Sequence, residues 1–261
     1  MAQMDTAGLP VGFMDSGVGG LAVLKRAAAM LPGEDFIFYG DIGNAPYGSR
    51  EDDEIRRIVL NAVKALTDIG IKALVVACNT ATSAAIEDIR AKYSEMPVLG
   101  MEPAIKPACE ELPGGRIAVM ATPAALRMKR FQDQLNHFRN SAEIISVPCP
   151  GLSRLIEERG PDSRAVADYL KELFKTNSVE GVDGVVVGCT HYIYIENHIR
   201  KLTGTSKLYN GVDGTVRHLA RRLSDAGIRR SGETAGTVRL FVTPGSEEEL
   251  KLMERFWAMN L

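Results

Sequence analysis

Residues Ile71–Arg90 read IKALVVACNTATSAAIEDIR, and residues Val182–Arg200 read VDGVVVGCTHYIYIENHIR. Laid side by side, Ile71 stands opposite Val182 and Cys78 opposite Cys189, and both stretches close on Ile-Arg, one residue out of step. Each is a short apolar run, a small residue and a cysteine, followed by a helical pattern. A short apolar run that gives way to a 3.6-residue period predicts a buried strand feeding a helix. The echo continues beyond them, because Glu102 and Asp213 lie equally far past their respective cysteines. Two related halves account for this, each with its cysteine at the top of an equivalent strand. A pseudo-twofold axis would turn both cysteines toward one cleft. The plainer explanation is that all buried strand-helix units look alike.

The same rhythm runs along the whole chain. Apolar runs at VGFMD, DFIFYGD, ALVVAC, PVLGM, RIAVMAT, EIISVP, GVVVGC and KLYNGVD each lead into a helical pattern, and TVRLFVT precedes a last helix. Strands alternating with helices predict an α/β fold built on parallel sheets covered on both faces. Ligands in such sheets bind at the carboxyl ends of the strands.

Bulk properties exclude several classes. Hydrophobic residues make up 45% of the 261 and charged residues 25%, as in ordinary globular proteins. The net charge of -2 leaves no basic footprint for nucleic acid. No apolar run is long enough to cross a membrane. The opening MAQMDTAGLP is too polar for a signal peptide, so a cytoplasmic location is expected. There the four cysteines should stay reduced, and no CxxC or Cys/His quartet suggests a zinc finger.

A cysteine between a buried strand and a helix start places its sulfur near the positive end of the helix dipole, which favours thiolate. A neighbouring base would also activate it. His191 stands two residues after Cys189, and Asp15 ends another strand where it could serve Cys78. Two acid/base groups on opposite faces of one small substrate suit inversion of a carbon that carries a hydrogen. One thiolate removes the proton and the opposing thiol delivers another. The carbanion then needs its carboxylate held by N–H groups and polar side chains. Ser16 with Gly17, Asn79 with Thr80, Thr122, Thr190 and the turn Pro46-Tyr47-Gly48 supply them at strand ends. No cofactor is required. Other readings stay open: Asp15 or Ser16 as a cap for the following helix, GVGG as a turn signal only, and a zinc set of Cys78, Cys189, His191 and Asp15. Cys109, Cys149, His137, His198 and His218 read as core or surface residues.

These residues resemble the glutamate racemase family, within the wider aspartate/glutamate racemase group. The matches are DSGVGG (15–20), YGDIGNAPYG (39–48), ACNTA (77–81), EPAIKPA (102–108), CPGLSRLIEERG (149–160) and GCTHY (188–192), in family order over most of the chain. The resemblance implies two pseudo-symmetric α/β domains, each a mostly parallel sheet flanked by helices, with the active site in the cleft between them. Residues 1–100 plus 212–261 would form the first and 101–211 the second. It implies glutamate as substrate, no cofactor or metal, and Cys78 and Cys189 as paired acid/base residues assisted by Asp15 and His191. Glu157 matches an acidic position of the family. Asp15, Ser16, Pro46, Tyr47, Gly48, Asn79, Thr80, Thr122, Thr190 and His191 match substrate-holding positions. The implied role is D-glutamate supply for peptidoglycan. The sequence does not fix an oligomeric state; a homodimer is the expectation. The chain departs from the family pattern at Ala125, where a second threonine often stands, at Met128, often serine, and at Ile193, often proline. A racemase of aspartate or another amino acid, or an amino-acid-binding protein without catalysis, remains the alternative.

Overall fold

The computed structural model describes residues 6–230, 234–243 and 245–260. The first residues of the polar amino-terminal stretch, 1–5, lie outside the described residues. Among the described residues nine strands form where the apolar runs fall: β1 Val11–Asp15, β2 Phe36–Gly40, β3 Ala73–Val76, β4 Val98–Gly100, β5 Arg116–Ala121, β6 Glu143–Pro148, β7 Gly184–Val187, β8 Leu208–Asn210 and β9 Val238–Val242. They build two sheets, in the orders β4-β3-β1-β2-β9 and β6-β5-β7-β8. Every pairing is parallel. Read from the matching edge, β4-β3-β1-β2 and β8-β7-β5-β6 are one strand order used twice. The sequence echo between β3 and β7 therefore marks a repeat of topology, with β9 added to the first sheet alone.

The strands β1, β3 and β7 are apolar without alternation because both faces are buried, whereas β6 and β9 carry exposed positions. Phe13, Phe36, Phe38 and Val75 point into one core, while Met14, Ile37, Leu74 and Val76 point into another. The first core takes the apolar stripes of the helices Leu21–Met30 and Val212–Asp225, and the second takes those of Asp52–Ile69 and Asn79–Lys92. In the other sheet, Ala118, Met120, Val185 and Val187 join the first of these cores, so it runs through both sheets. Each fully buried Val, Leu, Ile or Phe contributes about 1.5–3 kcal/mol.

In each sheet the chain starts at a central strand, moves one way, then returns to continue the other way. The reversal lies between β1 and β3 in one sheet and between β5 and β7 in the other. Crevices open at the carboxyl ends of strands at such switch points. Asp15 and Cys78 stand at the first, and Thr122 and Cys189 at the second. We propose the domain division 1–100 plus 212–261 and 101–211 on this sheet membership. Among the described residues no helix is long and apolar enough to cross a membrane.

Candidate active site

Cys78 caps the helix Asn79–Lys92, and its Sγ accepts from the Ala81 N–H at 3.5 Å. The Ser16 hydroxyl lies 3.5 Å from the same sulfur. Burial pushes the Cys78 thiol up to about 12, helped by the nearby Asp15 carboxylate, while the bonds from Ser16 and Ala81 pull it down. The helix end favours thiolate, but with Cys78 only 6% exposed desolvation works against it. Asp15 is fully buried, and burial raises its pKa against the lowering pull of His191 and the Gly17 and Gly20 N–H groups. Its oxygens accept from the Gly17 N–H at 3.1 Å and the Thr190 hydroxyl at 3.4 Å. Asp15 therefore meets Cys78 through its field, and Ser16 meets it by contact. Neither residue caps the next helix; Gly20 does, without a side-chain bond.

Cys189 sits differently. The segment after it, read as plain helix, starts with a 3-10 stretch, Thr190–Ile195, and becomes α-helix only at Glu196–Thr203. The tighter winding brings His191 back beside its own cysteine, with Nδ1 3.9 Å from Sγ. His191 Nε2 lies 2.7 Å from Glu157 Oε1. Burial alone would lower the His191 pKa, but the Glu157 charge, with the bonds to Cys189 and Glu157, raises it well above the ordinary value. Glu157 comes from the helix Leu152–Arg159, 34 positions away, and joins a Cys189–His191–Glu157 chain.

The remaining polar residues lie close to these two centres in the chain or the fold. Asn79 is 3% exposed, yet neither its Nδ2 nor its Oδ1 has a partner. Two unpartnered amide atoms in a closed site are costly unless a ligand meets them. Thr80 and Thr122 share a hydroxyl-hydroxyl bond of 2.9 Å across the two sheets, and Thr122 also accepts from the Ala125 N–H at 3.1 Å. The Pro46–Gly48 turn presses on this pair: a methyl group at Gly48 would stand 2.9 Å from the Thr122 Cβ. Tyr47 is buried, and its hydroxyl donates to Asp41, a residue the sequence reading passed over.

The glycines read as a turn signal also shape the site. A Cβ at Gly17 would lie 2.6 Å from Glu157 Oε1, and one at Gly19 would lie 2.5 Å from Thr190 Oγ1 and 2.6 Å from His191 Nδ1. The loop after β1 thus packs its bare backbone against the Cys189 side. Among the described residues no group of three or more His, Cys, Asp or Glu is arranged to hold a metal ion. Cys109 and Cys149 are free thiols in apolar cores.

A profile of the Asp/Glu/Hydantoin racemase family matches residues 21–219. The chain belongs to this racemase family. It is 42% identical to the glutamate racemase of Clostridium acetobutylicum over 94% of its own length and 96% of the relative's. Among solved structures, it matches the glutamate racemase of Francisella tularensis in complex with D-glutamate at a TM-score of 0.83 and 26% identity, covering 98% of this chain and 96% of that one. A glutamate racemase of Bacillus anthracis gives a TM-score of 0.84 at 29% identity, covering 97% and 95%. For this racemase the three departures from the family pattern fall in different places. Ala125 packs into the core around β5. Ile193 is half-buried against the shared core. Met128 joins the cluster that holds Cys78 and Tyr47, and the Ala125 N–H meets the site directly through Thr122.

Proposed function

We propose that this racemase interconverts L- and D-glutamate without a cofactor, with Cys78 and Cys189 acting on opposite faces of Cα. One observation carries the reading. The two cysteines end equivalent strands of a repeated topology, at the two switch points, and each has its own set of partners. In one direction Cys189, beside the His191 imidazolium, takes the α-proton, and the Cys78 thiol, kept protonated by burial, delivers a proton to the other face. In the other direction Cys78 must become the base. The α-ammonium of the substrate, entering the same space, is the cation that lowers the cost of a thiolate there. Asn79, Thr80, Thr122, Thr190, Ser16 and the Pro46–Gly48 turn hold the carboxylates, and donors already aimed at the developing charge stabilise the carbanion.

The role that fits is D-glutamate supply for peptidoglycan, in the cytoplasm, by a homodimer; light scattering on the purified chain tests the last point. The reaction itself is tested by α-proton exchange in heavy water, followed by NMR, on both enantiomers of glutamate, aspartate and several neutral amino acids. Glutamate alone is expected to lose its α-proton signal while the opposite enantiomer appears. Cys78→Ala and Cys189→Ala are each expected to slow racemisation at least about a thousandfold in both directions. Either variant turning over near the wild-type rate overturns the two-base mechanism. Exchange on another amino acid instead keeps the chemistry and moves the substrate, with Ala125 and Met128 as the first residues to change.

A further inference from the structure

We propose that Asp41 is the positioning residue for the Pro46–Gly48 turn, tying that turn to the end of β1 and to the segment after β9. The inference rests on the racemase reading above. Asp41 follows β2 and is 2% exposed. Its Oδ2 accepts from the Tyr47 hydroxyl at 2.5 Å, its Oδ1 from the Thr243 hydroxyl at 2.7 Å, and the Asn44 amide donates to both oxygens at 3.0 and 3.2 Å. Its own N–H donates to the Asp15 carbonyl at 2.9 Å. Segments far apart in sequence therefore meet on one residue, and the side-chain donors are all neutral.

A buried carboxylate held only by neutral donors is a costly way to fill space, because desolvation is offset by geometry alone. What the arrangement provides is direction. Burial and the Asp41 charge push the Tyr47 pKa up, so its hydroxyl stays a donor. Tyr47 and Gly48 are adjacent, and Gly48 lies against Thr122. Thr122 bonds Thr80, two residues beyond Cys78. Asp41 touches no reacting group, yet it sets where the turn stands against the threonine pair. The Thr243 bond carries the same constraint to the strand that only the first sheet possesses.

The test uses the full chain with Asp41→Asn and, separately, Thr243→Val. Asp41→Asn is expected to raise KM for glutamate about tenfold while kcat changes less than about twofold, as for loss of binding shared by ground and transition states. Thr243→Val removes one of the same bonds and is expected to raise KM about threefold, the double variant being no worse than Asp41→Asn alone. Hydrogen exchange over residues 42–50 is expected to quicken in both variants while the helix Asp52–Ile69 keeps its protection. An unchanged KM with unchanged exchange overturns the proposal, as does a lowered Tm with KM untouched. Should Asp41→Asn fail to fold, Thr243→Val carries the same test. If the wild type racemises nothing, the racemase reading fails on its own, and exchange in residues 42–50 still decides what Asp41 does.

Discussion

The acid/base residues of the candidate site divide by how far their partners lie along the chain. Cys78, Cys189 and His191 were legible because each carries its chemistry in its immediate neighbours. Glu157 was named through the family resemblance alone: its own neighbours, Glu158 and Arg159, are those of a solvated helix face, and folding sets it 2.7 Å from His191. Asp41 was silent, since Thr243 is about two hundred positions away. For Cys78 the sequence displays the helix start, which favours thiolate, but not the depth of burial, which opposes it. The His191–Glu157 pair makes a pH-dependent contribution whose sign follows from its direction. The folded pKa of His191 is raised above the unfolded value of about 6.5, so the pair stabilises fully below that pH and its contribution is lost as pH climbs through the folded value. Glu157→Gln should therefore cost about 1–3 kcal/mol at pH 6, the scale of a hydrogen bond between charged groups. The gap between variant and wild type in urea unfolding should narrow as pH rises. A gap that widens with pH would contradict the assignment.

At the scale of elements, periodicity located the nine strands of the described residues, most clearly β1, β3 and β7, where burial on both faces leaves an uninterrupted apolar run. It failed at Thr190–Ile195, where the sequence looks like the start of an ordinary helix and the chain winds more tightly. The same local geometry explains the loop after β1. Gly19 leaves room for the first turn of that 3-10 stretch, whose Thr190 hydroxyl and His191 backbone nitrogen would lie 2.5 and 2.7 Å from an added methyl group. A backbone atom cannot swing aside as a flexible side chain can. Gly19→Ala should lower stability by about 1–3 kcal/mol, as overpacking does, and reduce racemisation at least tenfold. Thermal melting and turnover, measured together, check both. A fully active variant would show that the loop is free to retreat.

At the scale of the molecule, the repeat was visible in one aligned pair of segments, but the strand order that makes it a topological repeat was not, since pairing partners are set by tertiary contacts. The chain crosses between sheets near Glu102 and again near Gly211, and the two crossings touch. Gly211 has an ordinary φ of −84°, so its backbone does not require glycine. Its space does, because a methyl group there would collide with the Glu102 carbonyl oxygen. Gly211→Ala should force the crossings apart and lower stability by about 1–3 kcal/mol, read as a drop in Tm. The placing of β9 beside β2 has a further consequence, for synthesis on the ribosome. All strands of the second sheet have emerged before β9 is made, whereas β2 waits for its outer neighbour across some two hundred residues. At about 5–20 residues per second that wait lasts roughly 10–40 s. The second sheet can finish folding first, and the first stays unfinished, one edge bare, until β9 has been made.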